Sequence, residues 1–326
     1  MIYEIDRNIY CIQVPLAGSP LGTLNAYYFR GGDEDFLMDT GFNTALCEAS
    51  LRKSLTSLGY RPERLNIINT HLHADHTGLN HWFVGANRHI YISEVDHLGV
   101  LAHYKGQGFK RGERDRREGA DQSLFDAMIN FGPEKSRRKM EFDEEKFVGL
   151  KDKDFLDVGA CRLQMLLVPG HTPGNAMFYI PEKKVMFTGD HVLFDITPNI
   201  TFWPGLSNAL QAYIDSLNYS KQFEVELALP GHRKPGDYQA RIDRILLHHE
   251  RRLAEILDIV GNDPGLTAYQ IARRMRGKIH LDANGNCPPA QMWFAAGECM
   301  SHLDKLVEDG RMLRIDGDPY VTYRLP

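Results

Sequence analysis

Apolar and polar positions change period several times along the chain, and each change predicts an element. Ile5 to Val14 first alternates and then runs apolar, and Leu24–Phe29 and Phe36–Met38 flank the turn-forming Gly31-Gly32-Asp33-Glu34-Asp35. That is the pattern of opening strands and a hairpin. Asn43 to Leu58 carries apolar residues at helical spacing and is followed by Gly59, so a helix leads to the short apolar run Leu65-Asn66-Ile67-Ile68-Asn69. His89–Ile92, Gln164–Val168, Lys184–Met186 and Val225–Leu229 read as further strands, with helices over Glu94–Tyr104 and Asn208–Phe223. From Tyr238 the strands give way to helical periods. Ile242, Ile245, Leu246, Leu253, Ile256, Leu257 and Val260 mark a long amphipathic helix, Thr267 caps a second from Ala268 to Met275, and Pro289–Asp309 is a third. Arg311–Ile315 and Tyr320–Tyr323 then close a hairpin around Asp316-Gly317-Asp318. Strands alternating with helices predict an α/β catalytic domain over 1–237, with a helical insertion at about 94–149. Residues 238–326 form a smaller helical module.

The chemistry concentrates after Leu65–Asn69. Thr70-His71-Leu72-His73-Ala74-Asp75-His76-Thr77-Gly78 sets His71, His73, Asp75 and His76 on the loop leaving a strand, with His71 and His73 alternating as strand neighbours do. One histidine is usually structural. Imidazoles and a carboxylate this dense are costly to bury unless a cation compensates them, so the cluster predicts a metal site.

His71, His73, Asp75 and His76 match the His-x-His-x-Asp-His signature of the metallo-β-lactamase superfamily, and three later motifs extend the resemblance in order. Pro169-Gly170-His171-Thr172-Pro173-Gly174 is similar to the family's third-histidine motif, Phe187-Thr188-Gly189-Asp190 to its bridging aspartate, and Leu229-Pro230-Gly231-His232 to its last histidine. The resemblance spans residues 1 to about 235. It implies an αββα sandwich, with His71, His73 and His171 at one metal, Asp75, His76 and His232 at another, and Asp190 between them. Asp39-Thr40-Gly41 resembles the family turn beneath the metal loop, and Asp39 is expected to hold the outer nitrogen of a ligating histidine. The helix, helix, helix, hairpin order after Tyr238 resembles the winged-helix module of one branch of the family.

Imidazole and carboxylate ligands suit two divalent ions, zinc first, with iron or manganese also admitted. A bridging hydroxide available near neutral pH would then attack a carbonyl or phosphoryl centre, with Asp75 as the catalytic carboxylate orienting it. The resemblance implies a hydrolase like the hydroxyacylglutathione hydrolases and lactonases, cleaving an ester, thioester or lactone. A metal-dependent endoribonuclease or phosphodiesterase is the alternative, and a non-catalytic binding protein a third class opposed by the intact ligand set. Asp190 stands where the lactamases usually carry a cysteine, and His73 and Asp75 stand where the redox diiron branch places other ligands, so neither chemistry is expected.

Composition adjusts this picture only at its margins. The chain has 326 residues, 43% hydrophobic and 25% charged, an ordinary balance for a soluble globular protein. No run approaches a bilayer span, Met1–Asp6 lacks a signal-peptide pattern, and five scattered cysteines indicate reduced thiols, so the cytoplasm is the expected compartment. A net charge of -5 offers no general attraction to nucleic acid or anionic lipid. In the insertion, Lys110, Arg111, Arg114, Arg116 and Arg117 alternate with Glu113, Asp115, Glu118 and Asp121, which predicts a solvated helix face. Leu124, Phe125, Met128, Ile129 and Phe131 form an apolar stripe, expected to be a packing face, with a lid over the site as the alternative. Phe194, Phe202 and Trp203 follow Asp190 closely and are the expected substrate contacts, chosen over plain core packing for that proximity. The expected partner is a small acyl substrate. The helix at Ala290–Asp309 carries Glu298, Asp304, Glu308 and Asp309 against Lys305 alone, which argues against duplex DNA. Arg273, Arg274, Arg276 and Lys278 leave RNA open, and a homodimer is open too.

Overall fold

Strand parity builds the first layer of the structure, a computed structural model describing residues 1–104, 112–129, 143–277 and 287–326. Strands β1 (Ile2–Asp6), β2 (Ile9–Pro15), β3 (Thr23–Phe29), β4 (Asp35–Met38), β5 (Leu65–Ile68), β6 (Ile90–Ser93) and β7 (Phe147–Leu150) form one sheet in chain order. The pairing is antiparallel as far as β4 and parallel from β4 to β7. A second sheet joins β8 (Phe155–Val158), β9 (Cys161–Leu167), β10 (Ala176–Ile180), β11 (Val185–Gly189) and β12 (Leu227–Pro230), antiparallel except for the parallel β11–β12 pair.

Successive side chains of a strand face opposite ways, so one parity of the first sheet meets the second sheet and the other meets helices. Cys11, Tyr27, Phe29, Phe36, Met38 and Ile68 share a core with Leu163, Met165, Phe178, Phe187 and Leu229 of the second sheet. The intervening Ile12, Val14, Ala26, Tyr28, Leu37 and Ile67 pack with Cys47, Leu51 and Leu55 of the helix Ala45–Ser57. Phe187 lies at the centre, its ring 4.9 Å from Tyr27 and 5.3 Å from Phe29. Burying such a side chain stabilises the sandwich by about 1.5–3 kcal/mol. These layers are those of the expected mixed α/β sandwich, and they bring the ends of β4, β5, β11 and β12, with the β9–β10 turn, to the site.

Local differences from the sequence reading have physical causes. Strand β5 stops at Ile68, so His71 and His73 lie in a bend and not on a strand. The Thr70 N–H is captured by Asp39 Oδ1 at 3.0 Å, which takes the backbone out of the ladder. Strands β7 and β8, unforeseen, are four residues each and too short for their alternation to stand out.

Contacts divide the chain into two units. The first comprises 1–108, 136–198 and 217–242, and the second 109–135, 199–216 and 243–326. Within the second, helices Gly112–Arg117, Gln122–Ile129, Ala268–Arg274 and Pro289–Glu308 accompany a hairpin of β13 (Leu313–Asp316) and β14 (Val321–Arg324). Thr267 and Gln270 cap the third of these helices reciprocally. Every residue from Ala295 to Leu303 is buried, so the middle of the Pro289–Glu308 helix is enclosed rather than presenting a charged face, while Phe294 and Glu308 near its ends are exposed.

The charged run of the insertion is a solvated face at Glu113, Arg116, Arg117 and Asp121, as expected, but not throughout. Asp115 and Glu118 are fully buried, because partners far along the chain receive them. The Tyr269 hydroxyl donates to Asp115 at 2.9 Å, and that of Tyr323 reaches both Glu118 oxygens at 3.0 and 3.1 Å. Arg114 pairs with Asp304 at 2.5 Å and lies over the Phe202 ring. Leu124 and Phe125 of the apolar stripe are buried, as a packing face requires. Lys110, Arg111, Phe131 and Lys278 lie outside the described residues.

Candidate metal centre

Four loops converge in the first unit. Ile68 hands the chain to His71 and His73, the short helix Ala74–Thr77 carries Asp75 and His76, and the β9–β10 turn carries His171. Asp190 directly follows β11, and His232 follows β12 by two residues. Backbone bonds lock these ends together: Ala176 N–H donates to Thr70 O at 2.8 Å and Gly231 N–H to Gly189 O at 2.8 Å. Gly231 has to be glycine for proximity alone, since a Cβ there would stand 2.6 Å from Asp190 Oδ1.

The seven expected ligand positions fall into three groups whose ligand atoms lie within 4.8 Å of one another: His71, His73 and His171; His71, His76 and Asp190; and Asp75, His76 and His232. His232 Nε2 is 3.4 Å from Asp75 Oδ2 and 3.5 Å from Asp190 Oδ2, while His76 Nε2 is 3.6 Å from Asp190 Oδ1. His171 Nε2 is 3.7 Å from Asp190 Oδ2.

The outward ring nitrogens are spoken for. His76 Nδ1 donates to Asp39 Oδ2 at 2.7 Å, and His232 Nδ1 to the Thr23 carbonyl at 2.8 Å. The Thr70 hydroxyl donates to Asp39 Oδ2 at 2.8 Å and so can accept from His71 Nδ1 at 3.0 Å. With those protons committed outward, His71, His76 and His232 direct their Nε2 atoms into the centre, where a bound cation in place of a proton would meet their lone pairs. Asn25 Nδ2 and the Tyr27 hydroxyl both donate to the Pro230 carbonyl, at 3.0 and 2.7 Å, fixing the turn that delivers His232.

The electrostatics call for a cation. Burial and the surrounding imidazoles push His71 well below the ordinary histidine value, and burial with His171 takes His73 down to about 3, so both are neutral lone-pair donors at pH 7. Burial opposes charge on His76 as well, yet the carboxylates of Asp39, Asp190 and Asp75 outweigh it and hold that ring well above the ordinary value. Burial would raise Asp75, but His76 and His232 bring it to about 2, and Asp190 is held far below the usual carboxylate range by His232 and His76 against the same burial. Positive charge at this spot is favoured whether a proton or an ion supplies it. His76 Nε2, His232 Nε2 and Asp190 Oδ1 are buried without a hydrogen-bond partner, and a buried unpaired polar atom costs about 1–3 kcal/mol. Divalent ions among these donors would remove that cost, so the residues present fit them.

Asp96, a residue that sequence reasoning passed over, lies behind the His71 and His171 loops. It is fully buried in the first turn of the helix Glu94–Tyr104, and burial pushes its carboxyl up to about 6 against hydrogen bonds from Thr172, Gly174 and Leu72. No local pattern marks it. The proposed substrate contacts are divided: Phe194 is buried in the first unit, whereas Phe202 and Trp203 belong to the second.

The sequence pattern of the metallo-beta-lactamase superfamily matches residues 20–232. Among curated proteins, the chain is 24% identical over 189 residues to a lactamase-like protein, nscB, of Aspergillus fumigatus, the match covering 52% of each chain. Thus it spans about half the length of that relative. It is 26% identical over 227 residues to the human acyl-coenzyme A thioesterase MBLAC2, covering 64% of this chain and 72% of that one. Among solved structures, a metallo-beta-lactamase family protein from Thermus thermophilus superposes with a TM-score of 0.78 at 26% identity, over 99% of this chain and 100% of that one.

Proposed function

The chain belongs to the metallo-beta-lactamase superfamily; from that premise we propose that it is a hydrolase which two divalent ions, zinc first, serve in cleaving an ester, thioester or lactone. The observation that carries the reading is the convergence of His76 Nε2, His232 Nε2 and Asp190 Oδ1, buried and unpaired, on one small volume. His71, His73 and His171 would hold one ion, Asp75, His76 and His232 the other, and Asp190 reaches toward both groups. Bound there, the ions would supply Lewis acidity and a water ionising near pH ~7.

The chain's own groups do the rest. Asp75, with its pKa at about 2, is ionised throughout the neutral range and offers an acceptor that orients the attacking water beside the scissile carbonyl. Asp39 and the Thr23 carbonyl keep His76 and His232 in the tautomer that faces inward. All seven positions fall in the first unit, so the chemistry is assigned there. The C-terminal segment 238–326 is assigned an accessory, winged-helix-like role.

A thioester leads the substrate classes because the acyl-coenzyme A thioesterase relatives support it. The phosphodiester alternative loses ground from the pairing of cations inside the second unit. Arg114 is committed to Asp304, and the exposed Arg117 and Arg274 stand beside Asp316 at 3.0 Å and Asp263 at 2.6 Å, so acidic neighbours weaken the local field that a nucleic-acid strand would meet. No described helix is long and apolar enough to cross a membrane. The test pairs metal analysis with a screen over acyl thioesters, lactones, phosphodiesters and RNA. About two ions per chain and acyl turnover abolished by chelation are expected, and full activity after exhaustive chelation overturns the reading.

A further inference from the structure

All three histidines of one ligand group come from two loops, and beside the backbone bond from Ala176 N–H to Thr70 O at 2.8 Å a buried side chain ties the same two loops together. His71 and His73 flank Leu72, and His171 precedes Thr172. Asp96, which is not among the grouped ligand atoms, reaches both loops. Its Oδ2 accepts from the Leu72 N–H at 2.9 Å and from the Thr172 hydroxyl at 2.7 Å, and its Oδ1 accepts from the Gly174 N–H at 2.7 Å. Ser93, three residues earlier, donates its hydroxyl to the Gly174 carbonyl at 2.6 Å and accepts from Asp96 N–H at 3.2 Å. The corner Ser93–Asp96 therefore grips both the donor and the acceptor of Gly174. The grip is close enough to forbid a side chain, since a Cβ on Gly174 would meet Ser93 Oγ and the Asp96 backbone nitrogen and stand 2.7 Å from Asp96 Oδ1.

We propose that Asp96 is a positioning residue that fixes the spacing between the His71–His73 bend and the His171 turn, and so sets the affinity of the ion those three histidines hold. This rests on the two-ion reading above. A carboxylate suits the task because it presents acceptors only, and all three groups facing it are donors here. An amide of the same shape must turn an N–H₂ toward at least one of them. The three bonds span 24, 76 and 78 residues of sequence, so they join parts of the chain that no local structure would hold together. Asp39 and Thr23 hold the outer nitrogens of His76 and His232, so the group Asp75, His76 and His232 has separate supports.

The experiment titrates purified, metal-loaded protein with a competing chelator and follows release of zinc. His73→Ala and His232→Ala serve as references that identify which phase belongs to which ion. Asp96→Asn should weaken the phase missing in His73→Ala by roughly 10–100-fold, the size usual for groups that orient ligands, while the phase missing in His232→Ala moves less than about threefold. Thr172→Val removes a single bond of the three and should shift the same phase in the same direction by a smaller factor, which keeps the test decisive should Asp96→Asn fold poorly. Equal weakening of both phases in both variants would show a merely structural role and overturn the inference. Two ions released by the variants at wild-type affinity would also overturn it, leaving the two-ion reading intact. A wild-type protein that takes up fewer than two ions would instead remove that reading, and the inference with it.

Discussion

Around Asp190 the buried polar atoms approach one another and stop short, whereas around Glu118 they meet. His76 Nε2 and His232 Nε2 stand 3.6 and 3.5 Å from Asp190 oxygens, too far for a hydrogen bond and close enough for a shared cation. In the second unit, Tyr323 lies 3.0 and 3.1 Å from the Glu118 oxygens, and Arg114 lies 2.5 Å from Asp304. Both regions bury carboxylates at a cost. One offsets that cost internally and is architecture; the other leaves it for an incoming ion and is a site. Incomplete pairing is thus a better guide to function here than the density of charge, which is high in both.

The comparison breaks first at Asp190. Asp190→Ala removes the carboxylate that both ligand groups approach, so metal analysis should find both ions loosened and acyl turnover down by about 10³-fold or more, several kcal/mol of transition-state stabilisation. Retention of two tightly held ions would mean that Asp190 is ordinary architecture. Asp75→Asn comes next, with kcat reduced by about 10² to 10⁴ at equal metal content. Equal content matters because loss of a ligand imitates loss of a catalytic group.

On the architectural side, Tyr323→Phe strips the Glu118 carboxylate of its hydroxyl donor and should lower stability by about 1–3 kcal/mol in denaturant unfolding. Metal content and kcat should stay at wild-type values, and a change in either would dissolve the distinction between the regions. The smallest effect expected is none at all. Random duplex DNA should show no salt-sensitive, sub-micromolar binding, because the Pro289–Glu308 helix is enclosed from Ala295 to Leu303 and its Asp304 is paired with Arg114.

How much could be read in advance follows the distance between partners. His71, His73, Asp75 and His76 fall within six consecutive residues, so their chemistry is visible before any fold is known. The opening strands were legible from their apolar runs, but their division into two sheets came only from the family resemblance, since both parities are buried, Cys11, Tyr27 and Phe29 against the second sheet and Ile12, Ala26 and Tyr28 against a helix. Asp96 was not, because an acid in a helix's first turn is common and its acceptor role depends on Thr172 and Gly174, 76 and 78 residues away. The alternating charges of 113–121 were read correctly for the exposed Glu113, Arg116, Arg117 and Asp121 and misled at Asp115 and Glu118 for the same reason. Local alternation implies a wetted surface, and Tyr269 and Tyr323 enclose two of its carboxylates from far along the chain.

Those long separations also impose an order on biosynthesis. Glu118 leaves the ribosome 205 residues ahead of Tyr323, which at ~5–20 residues per second is an interval of roughly 10–40 s. The loops of His171, Asp190 and His232 are synthesised within that interval, and the first sandwich can close while Asp115 and Glu118 are still hydrated. The mixed charge that made the insertion look like surface is then its proper character for a time. Hydrated charges cost nothing to leave exposed, so Asp115 and Glu118 need no partner until Tyr269 and Tyr323 are made.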